Sequence, residues 1–333
     1  MEEMIATKKN LTKSEANETV TVDLLGQLIK GQEKPKVSTS PFSAPLTDSE
    51  VKGNLFIFII AGHETSSSSI HLSILLLATN PRAQREVQKQ LDNIFEGRSQ
   101  EEWDYKKDFP RLLEGWLGAV MNEQLRLLSP TPTIPKVVCT EPQNIIVDNK
   151  EVTLPANTMI RLCTPSVHVN PKFWPHGPPK DPRTAIHDLE EFKPERWMTA
   201  SNSNPCEGQS WTSDIPPKSP SPPFTPIKGS YFPFSDGQRN CLGKRFAQVE
   251  VLAALAIIFS QYSVELDVSE FASDSEVSRM TAEQRKAVWE KAQEKVEWTW
   301  KNKMTCIITV QLTRDASVSL RLVKRGEERF FYL

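Results

Sequence analysis

FPFSDGQRNCLGKRFA, residues 232–247, sets Phe234, Gly237, Arg239, Cys241 and Gly243 at the spacing FxxGxRxCxG. In a chain of ordinary composition, five such residues at fixed spacing arise on the order of once in ten million start positions, so the stretch is a motif. Cys241 carries its chemistry. A thiolate that ligates a metal needs donors around the sulfur and shelter from water. Glycines at 237 and 243 let backbone N–H groups and a flat ligand come close. The apolar segment after Cys241, to about Phe259, reads as a helix whose positive end points at the sulfur and stabilises negative charge there. Outside such a motif a cysteine is usually a small buried hydrophobe.

The 333 residues are 38% hydrophobic, enough for a substantial core. A net charge of -2 supplies no overall field to collect nucleic acid, which is excluded as a partner. Five cysteines, Cys139, Cys163, Cys206, Cys241 and Cys306, are odd in number and form no CxxC pair. That pattern excludes a disulfide framework and a zinc ribbon and fits a reducing compartment. The five histidines, His63, His71, His168, His176 and His187, stand in no HxE or HExxH context, so none is expected to hold a metal. The first twenty residues lack an apolar stretch. The longest apolar run, Leu55 to Ala61, falls far short of the roughly 20 residues of a membrane span, so no transmembrane segment is expected and the sequons at Asn10 and Asn17 are expected to stay unused.

Residues 1–45 are polar and read as tail or linker, with one short apolar-faced helix over Val22–Ile29. Thr47 and Glu50 form a capping box ahead of a long, largely buried helix that Asn80-Pro81 stops. A second helix follows to about Phe95, and a third runs from Pro110 to Leu128. Between Lys136 and Pro165 the runs NIIVD, EVTL and MIRLC predict a small sheet. Residues 199–228, rich in Pro and Ser, read as a surface insertion. Beyond Phe259, a second capping box at Thr281 and Gln284 opens a charged helix on which Trp289, Ala292, Val296 and Trp300 form a packing stripe. CIITVQL and VSLRLV predict a closing hairpin.

Three further motifs precede the cysteine loop. Glu123-Gln124-Leu125-Arg126 reads ExxR, whose i,i+3 spacing puts carboxylate and guanidinium on one helix face. Alone it is weak and usually marks a solvated pair. Pro194-Glu195-Arg196-Trp197 supplies a second arginine, and Ala61-Gly62-His63-Glu64-Thr65 lies on the long helix. In this order the four motifs resemble the C-terminal part of a cytochrome P450 of the eukaryotic microsomal type, such as a fungal one. The resemblance covers about Thr47 to Phe259, and the terminal strands loosely.

The resemblance implies a mainly α fold with small β-sheets, an α+β cytochrome P450 fold truncated at its N-terminus. Residues 46–333 would be its haem-binding part, with inserts at about 199–228 and 268–303. Haem b would be the cofactor and Cys241 the axial ligand of its iron. Arg239 would pair with a propionate, Phe234 cover the proximal ring face, Gly237 and Gly243 admit the ring, and Lys136 stand near a propionate. Glu123, Arg126 and Arg196 would form a buried network beside the cysteine loop. Ala61 and Gly62 would give dioxygen room, with Glu64 and Thr65 as the acid–alcohol pair that relays protons to it. Ser129 to Ile134 would line the substrate pocket, and Lys244 and Arg245 would face an acidic reductase.

The function so implied is monooxygenation of a small apolar organic substrate by dioxygen, with electrons from an NADPH-dependent reductase. The parent family sits on the cytoplasmic face of the endoplasmic reticulum membrane. Two other readings stand beside it: an inactive fragment that keeps the haem-thiolate motif, and a haem-thiolate isomerase or dehydratase, against which the Glu64-Thr65 pair argues.

Overall fold

The computed structural model describes residues 1–14, 23–32, 44–183, 185–198 and 224–330. The chain divides into two compact units, Met1–Glu64 and Thr65–Leu333. The first holds α1 (Glu2–Ser14), α2 (Leu24–Lys30) and the opening of α3 (Asp48–Ala78), which continues into the second. Helix α2 overlaps the short helix expected over Val22–Ile29. Helix α1 stands where the sequence predicts polar tail. Its apolar residues are too sparse to show a stripe, but Ile5 is buried with Val51 and Leu55, and Lys9–Asp48 and Lys52–Glu2 pairs (2.7 and 2.6 Å) tie its surface down.

The capping box of α3 is formed: Thr47 N–H donates to Glu50 Oε2 (2.7 Å), and Glu50 N–H donates to Thr47 Oγ1 (3.2 Å). The longest buried stretch of α3 runs from Leu72 to Ala78, broken only at the half-buried Ile74, and Val51 and Leu55 are buried near its start, whereas Phe56, Ile57, Ile59 and Ile60 are exposed. Consecutive apolar residues point all round a helix, so no single packed face can cover them. Asn80 then caps α4 (Pro81–Phe95), its Oδ1 accepting the Ala83 N–H (3.0 Å).

The single helix expected from Pro110 to Leu128 is two, α5 (Tyr105–Leu113) and α6 (Trp116–Leu127), and Pro110 lies inside the first. Asp104 begins α5 by accepting the Lys107 N–H (2.8 Å). Residues 114–115 break the run, and α6 folds back so closely that a Cβ on Gly118 would lie 1.8 Å from the Leu113 carbonyl oxygen. Only glycine fits that approach.

Strand β1 (Thr133–Val137) pairs antiparallel with β4 (Met159–Cys163), and β2 (Gln143–Val147) pairs with β3 (Lys150–Leu154) across the left-handed Asp148 and Asn149. Next come α7 (Thr164–His168), α8 (Lys244–Gln261), β5 (Tyr262–Leu266), α9 (Asp274–Arg279), α10 (Ala282–Asn302), β6 (Met304–Cys306), β7 (Val310–Leu312) and β8 (Leu320–Lys324). The closing hairpin differs from expectation. CIITVQL bends on itself as β6–β7, and β8 pairs instead with β5, far back in sequence. Strand β5 is buried along most of its length, so its pairing with β8 seals the core, a requirement that local pattern does not show.

Of the expected insertion at 199–228, residues 199–223 lie outside the described residues. The segment 268–303 contains α9 and α10; on α10, Trp289, Ala292 and Val296 are buried and Trp300 packs against the same core. The main core joins α3, α4, α6, α8 and α10 through residues such as Leu75, Leu91, Met121, Leu252 and Phe259. A second cluster gathers Ala119, Trp174, Leu189, Trp197 and Phe224. The fold is thus mainly α with small two-stranded sheets. Among the described residues no helix is long and apolar enough to cross a membrane.

Candidate functional site

Helix α6 presents Glu123 and Arg126 one turn apart, and both side chains have no exposed surface. Arg126 donates through Nε to Glu123 Oε2 and through Nη2 to Oε1, each at 2.8 Å, a bidentate fork. Arg196 enters from the short 3-10 turn Pro194–Trp197, its Nε 3.5 Å from Glu123 Oε1. Its other nitrogens donate to the carbonyls of Pro175 (2.7 Å) and Asp188 (3.1 Å). Glu123 also accepts the Trp197 indole N–H (2.8 Å) and the Lys193 backbone N–H (3.1 Å). Burial pushes the Glu123 carboxyl up, but the charges of Arg126 and Arg196 and the Trp197 bond outweigh it and hold it below its ordinary value.

The motifs place three members in this network, and four more join it. Trp197 was part of the quoted motif, but nothing in the motif says that its N–H turns inward. Asp188 lies in an acidic run ahead of Arg196, with its Oδ1 3.6 Å from Arg196 Nη2, and Lys193 reaches its Oδ2 (3.0 Å). His168, at the end of α7, takes the Arg126 Nη1 bond on its backbone carbonyl (3.0 Å).

The cysteine loop leaves this network at Tyr231, whose hydroxyl reaches the Asn122 carbonyl (3.2 Å) and whose ring lies 4.9 Å from Trp197. The Phe234 carbonyl accepts the Cys241 N–H (2.8 Å), closing the loop around a 3-10 turn at Gly237–Arg239. Gly237 has φ +77°, where a side chain would be strained. Cys241 precedes the first turn of α8, whose leading N–H groups have no carbonyl of their own helix to bond. Phe234 packs against the main core, and Lys136 on β1 donates to Ser235 Oγ (3.2 Å), which brings that lysine to the loop. Lys244 sits 5.9 Å from the Phe234 ring centroid, and Arg245 lies 4.1 Å over Phe109 while donating to Tyr105 Oη (3.3 Å).

Helix α3 runs unbroken through Ala61, Gly62, Glu64 and Thr65, and a Cβ at Gly62 would meet nothing within 4 Å. One turn beyond Thr65, Ser68 Oγ donates to the Val310 carbonyl (2.7 Å), and the Val310 N–H donates to the Pro130 carbonyl (2.9 Å). The segment 129–134 and the β6–β7 hairpin are therefore stitched to α3. Ile307 and Ile308 at the hairpin tip are exposed. Nothing in the run CIITVQL signals such a role.

A family model described as Cytochrome P450 matches residues 1–286. A cytochrome P450 monooxygenase of Arthrobotrys oligospora is 31% identical over 219 residues, 65% of this chain and 35% of that protein. Cytochrome P450 3A30 of Fundulus heteroclitus is 30% identical over 242 residues, 73% of this chain and 40% of its own length. The chain thus spans less than half the length of these curated relatives. A crystal structure of a cytochrome P450 superposes with a TM-score of 0.61 at 19% identity, covering 97% of this chain and 56% of that one, a likeness of fold.

Haem b, the cofactor of this family, fits the residues around Cys241. Residues 236–246 are exposed throughout, and this stretch, which carries the thiol, also carries Leu242 (82% exposed) and Phe246 (62% exposed). Two large apolar side chains left open on the same stretch as a thiol suit a flat apolar ring that would cover them. Arg239, exposed on the same loop, and Lys136 beside it carry charge of the sign that carboxylates require. From its motifs, its fold and its relatives, the chain is a member of the cytochrome P450 family.

Proposed function

We propose that this chain provides the thiolate side of a haem-dependent monooxygenase that acts on a small apolar organic substrate with dioxygen and electrons from a separate NADPH-dependent reductase. The observation that carries the reading is Cys241 itself, an open thiol at the N-terminal end of α8 on a loop that leaves a buried ion network. Haem would supply the oxygen-activating redox chemistry. Cys241 Sγ, just ahead of the first turn of α8, would ligate its iron. Arg239 and Lys136 would pair with its propionates, while Phe234, Leu242 and Phe246 would exclude water from the sulfur. Glu64 and Thr65, neighbours on α3, would pass protons from solvent toward the oxygen, Thr65 Oγ1 handing on what the Glu64 carboxyl collects. Residues 129–134 and the β6–β7 tip would form an apolar wall for the substrate. The family's usual setting places this chemistry at the cytoplasmic face of the endoplasmic reticulum.

The open face at 236–246 favours a second reading: a chain that keeps the haem-thiolate motif, holds haem weakly and turns over little. One experiment separates them. The purified chain, supplied with haem and reduced under carbon monoxide, is expected to show the red-shifted Soret band of thiolate-ligated haem, and Cys241→His is expected to abolish it. A band that appears only with haem in large excess would favour the second reading, and no band at any haem concentration would overturn the claim that this chain assembles the site. A band that survives the substitution would overturn the ligand assignment.

A further inference from the structure

His168 is fully buried at the end of α7, and none of the four motifs contains it. Its ring lies between Tyr231 (centroids 5.2 Å apart) and Phe232 (5.3 Å, edge-on), the residues that lead into the cysteine loop. Its Nε2 accepts the Phe232 backbone N–H at 3.1 Å. Its own carbonyl accepts Arg126 Nη1, and Arg126 is locked by its fork to Glu123. Beyond Phe232 the bonds continue: the Phe232 carbonyl accepts the Ser235 N–H (2.9 Å), and the Phe234 carbonyl accepts the Cys241 N–H (2.8 Å).

The acceptor role defines the state of the ring. Because Nε2 receives an N–H, its lone pair must be free, so the imidazole is neutral with its proton on Nδ1. Burial holds His168 at about 4, and the ring is therefore neutral at pH 7. A phenyl ring would fill the same space but offer the Phe232 N–H nothing, and an amide deprived of its acceptor moves toward water. Glutamine places an oxygen three bonds beyond Cβ, as histidine places Nε2, and keeps the acceptor.

We propose that His168 is a positioning residue. Fixed at its carbonyl by the Glu123–Arg126 pair and bonded at Nε2 to the Phe232 N–H, it sets where the loop presents the Cys241 sulfur. The inference rests on the reading of Cys241 as haem ligand, and it differs from simple packing in requiring a hydrogen-bond acceptor.

The test uses the full chain without haem and reads amide hydrogen exchange across residues 232–241, then repeats the carbon monoxide spectrum with haem. His168→Phe is expected to raise exchange at Phe232 and Cys241 at least tenfold over distant core amides and to lower the thiolate-type band. His168→Gln is expected to restore both. Unchanged exchange in His168→Phe, or His168→Gln no better than His168→Phe, overturns the proposal in favour of packing alone. If His168→Phe does not fold, the unmodified chain decides: protection of the Phe232 amide supports the bond, and exchange at the free-peptide rate overturns it. If the exchange pattern holds while no variant and no unmodified chain shows the band, the ligand reading fails and the role of His168 in ordering the loop stands.

Discussion

Replacing Glu123 by Gln keeps the volume at the centre of the network and removes its charge. Glu123 Oε1 faces Arg126 Nη2 (2.8 Å), the Lys193 N–H (3.1 Å) and Arg196 Nε (3.5 Å), while Oε2 faces Arg126 Nε and Trp197 Nε1 (both 2.8 Å). Every neighbour is a donor, so the amide NH2 of glutamine meets donors whichever way it is turned, and Arg126, fully buried, loses its counter-charge. Stripping one partner from a buried pair costs about 3–5 kcal/mol, a large share of the roughly 5–15 kcal/mol that stabilises a folded domain. With a urea slope of about 3 kcal/mol/M, the midpoint falls by about 1 M or more. Tryptophan emission follows it directly, since Trp174 and Trp197 belong to this cluster. Adding Arg126→Met removes the orphaned guanidinium, so the double variant is expected to be less destabilised than the sum of the single ones. Glu86→Gln is the control: its pair with Lys89 (2.6 Å) is solvent-facing, and its loss should stay within about 0.5 kcal/mol. A Glu123→Gln midpoint no lower than that of the control would refute the claim that the buried charge holds this part of the fold.

Three further outcomes can be measured on the same material. His168 titrates near 4 when folded against an ordinary 6.5, because burial disfavours its charged form; its contribution is complete above pH 6.5 and lost as pH falls toward 4. The loss amounts to about 3 kcal/mol, and His168→Gln should shed about that much less over this window; parallel pH–stability curves would contradict it. Gly118→Ala would place a Cβ 1.8 Å from the Leu113 carbonyl, which a backbone atom cannot yield cheaply, so unfolding should become easier by about 1–3 kcal/mol or more, read as a lowered melting temperature. Thr281→Ala removes the cap that accepts the Gln284 N–H (3.3 Å) on α10 and should cost about 1 kcal/mol in the same assay; no change would mean that α10 is held by its Trp289 stripe alone.

What the sequence made legible was local. FxxGxRxCxG specified a loop because glycine at a left-handed φ and a cysteine ahead of a helix are short-range facts. ExxR specified an ion pair because i,i+3 fixes geometry on one helix. Both capping boxes were readable for the same reason. What escaped was long-range. Strand β8 pairs with β5 across two intervening helices, and no periodicity encodes that partner. Pro110 looks like a helix start although α5 begins five residues earlier at an aspartate cap, and α1 looks like tail because one isoleucine does not make a stripe. His168 is invisible too, since a lone histidine announces no acceptor role.

The largest omission is one of charge balance. A buried trio of Glu123, Arg126 and Arg196 carries one negative and two positive charges, and an uncompensated guanidinium in a dry interior is expensive. Asp188 supplies the missing charge. Burial pushes its carboxyl up, and Arg196, with help from the Gly177 N–H and Lys193, more than reverses that. The network is therefore two carboxylates against two guanidiniums, with Arg196 shared between Glu123 and Asp188. It recruits α6, the end of α7, the segment 188–197 and, through His168, the cysteine loop. A cluster so closely paired has one low-energy arrangement, because moving any member strands a charge or a donor. That rigidity is what a loop needs if it is to present an open thiol at a fixed place while its outer face, residues 236–246, stays exposed.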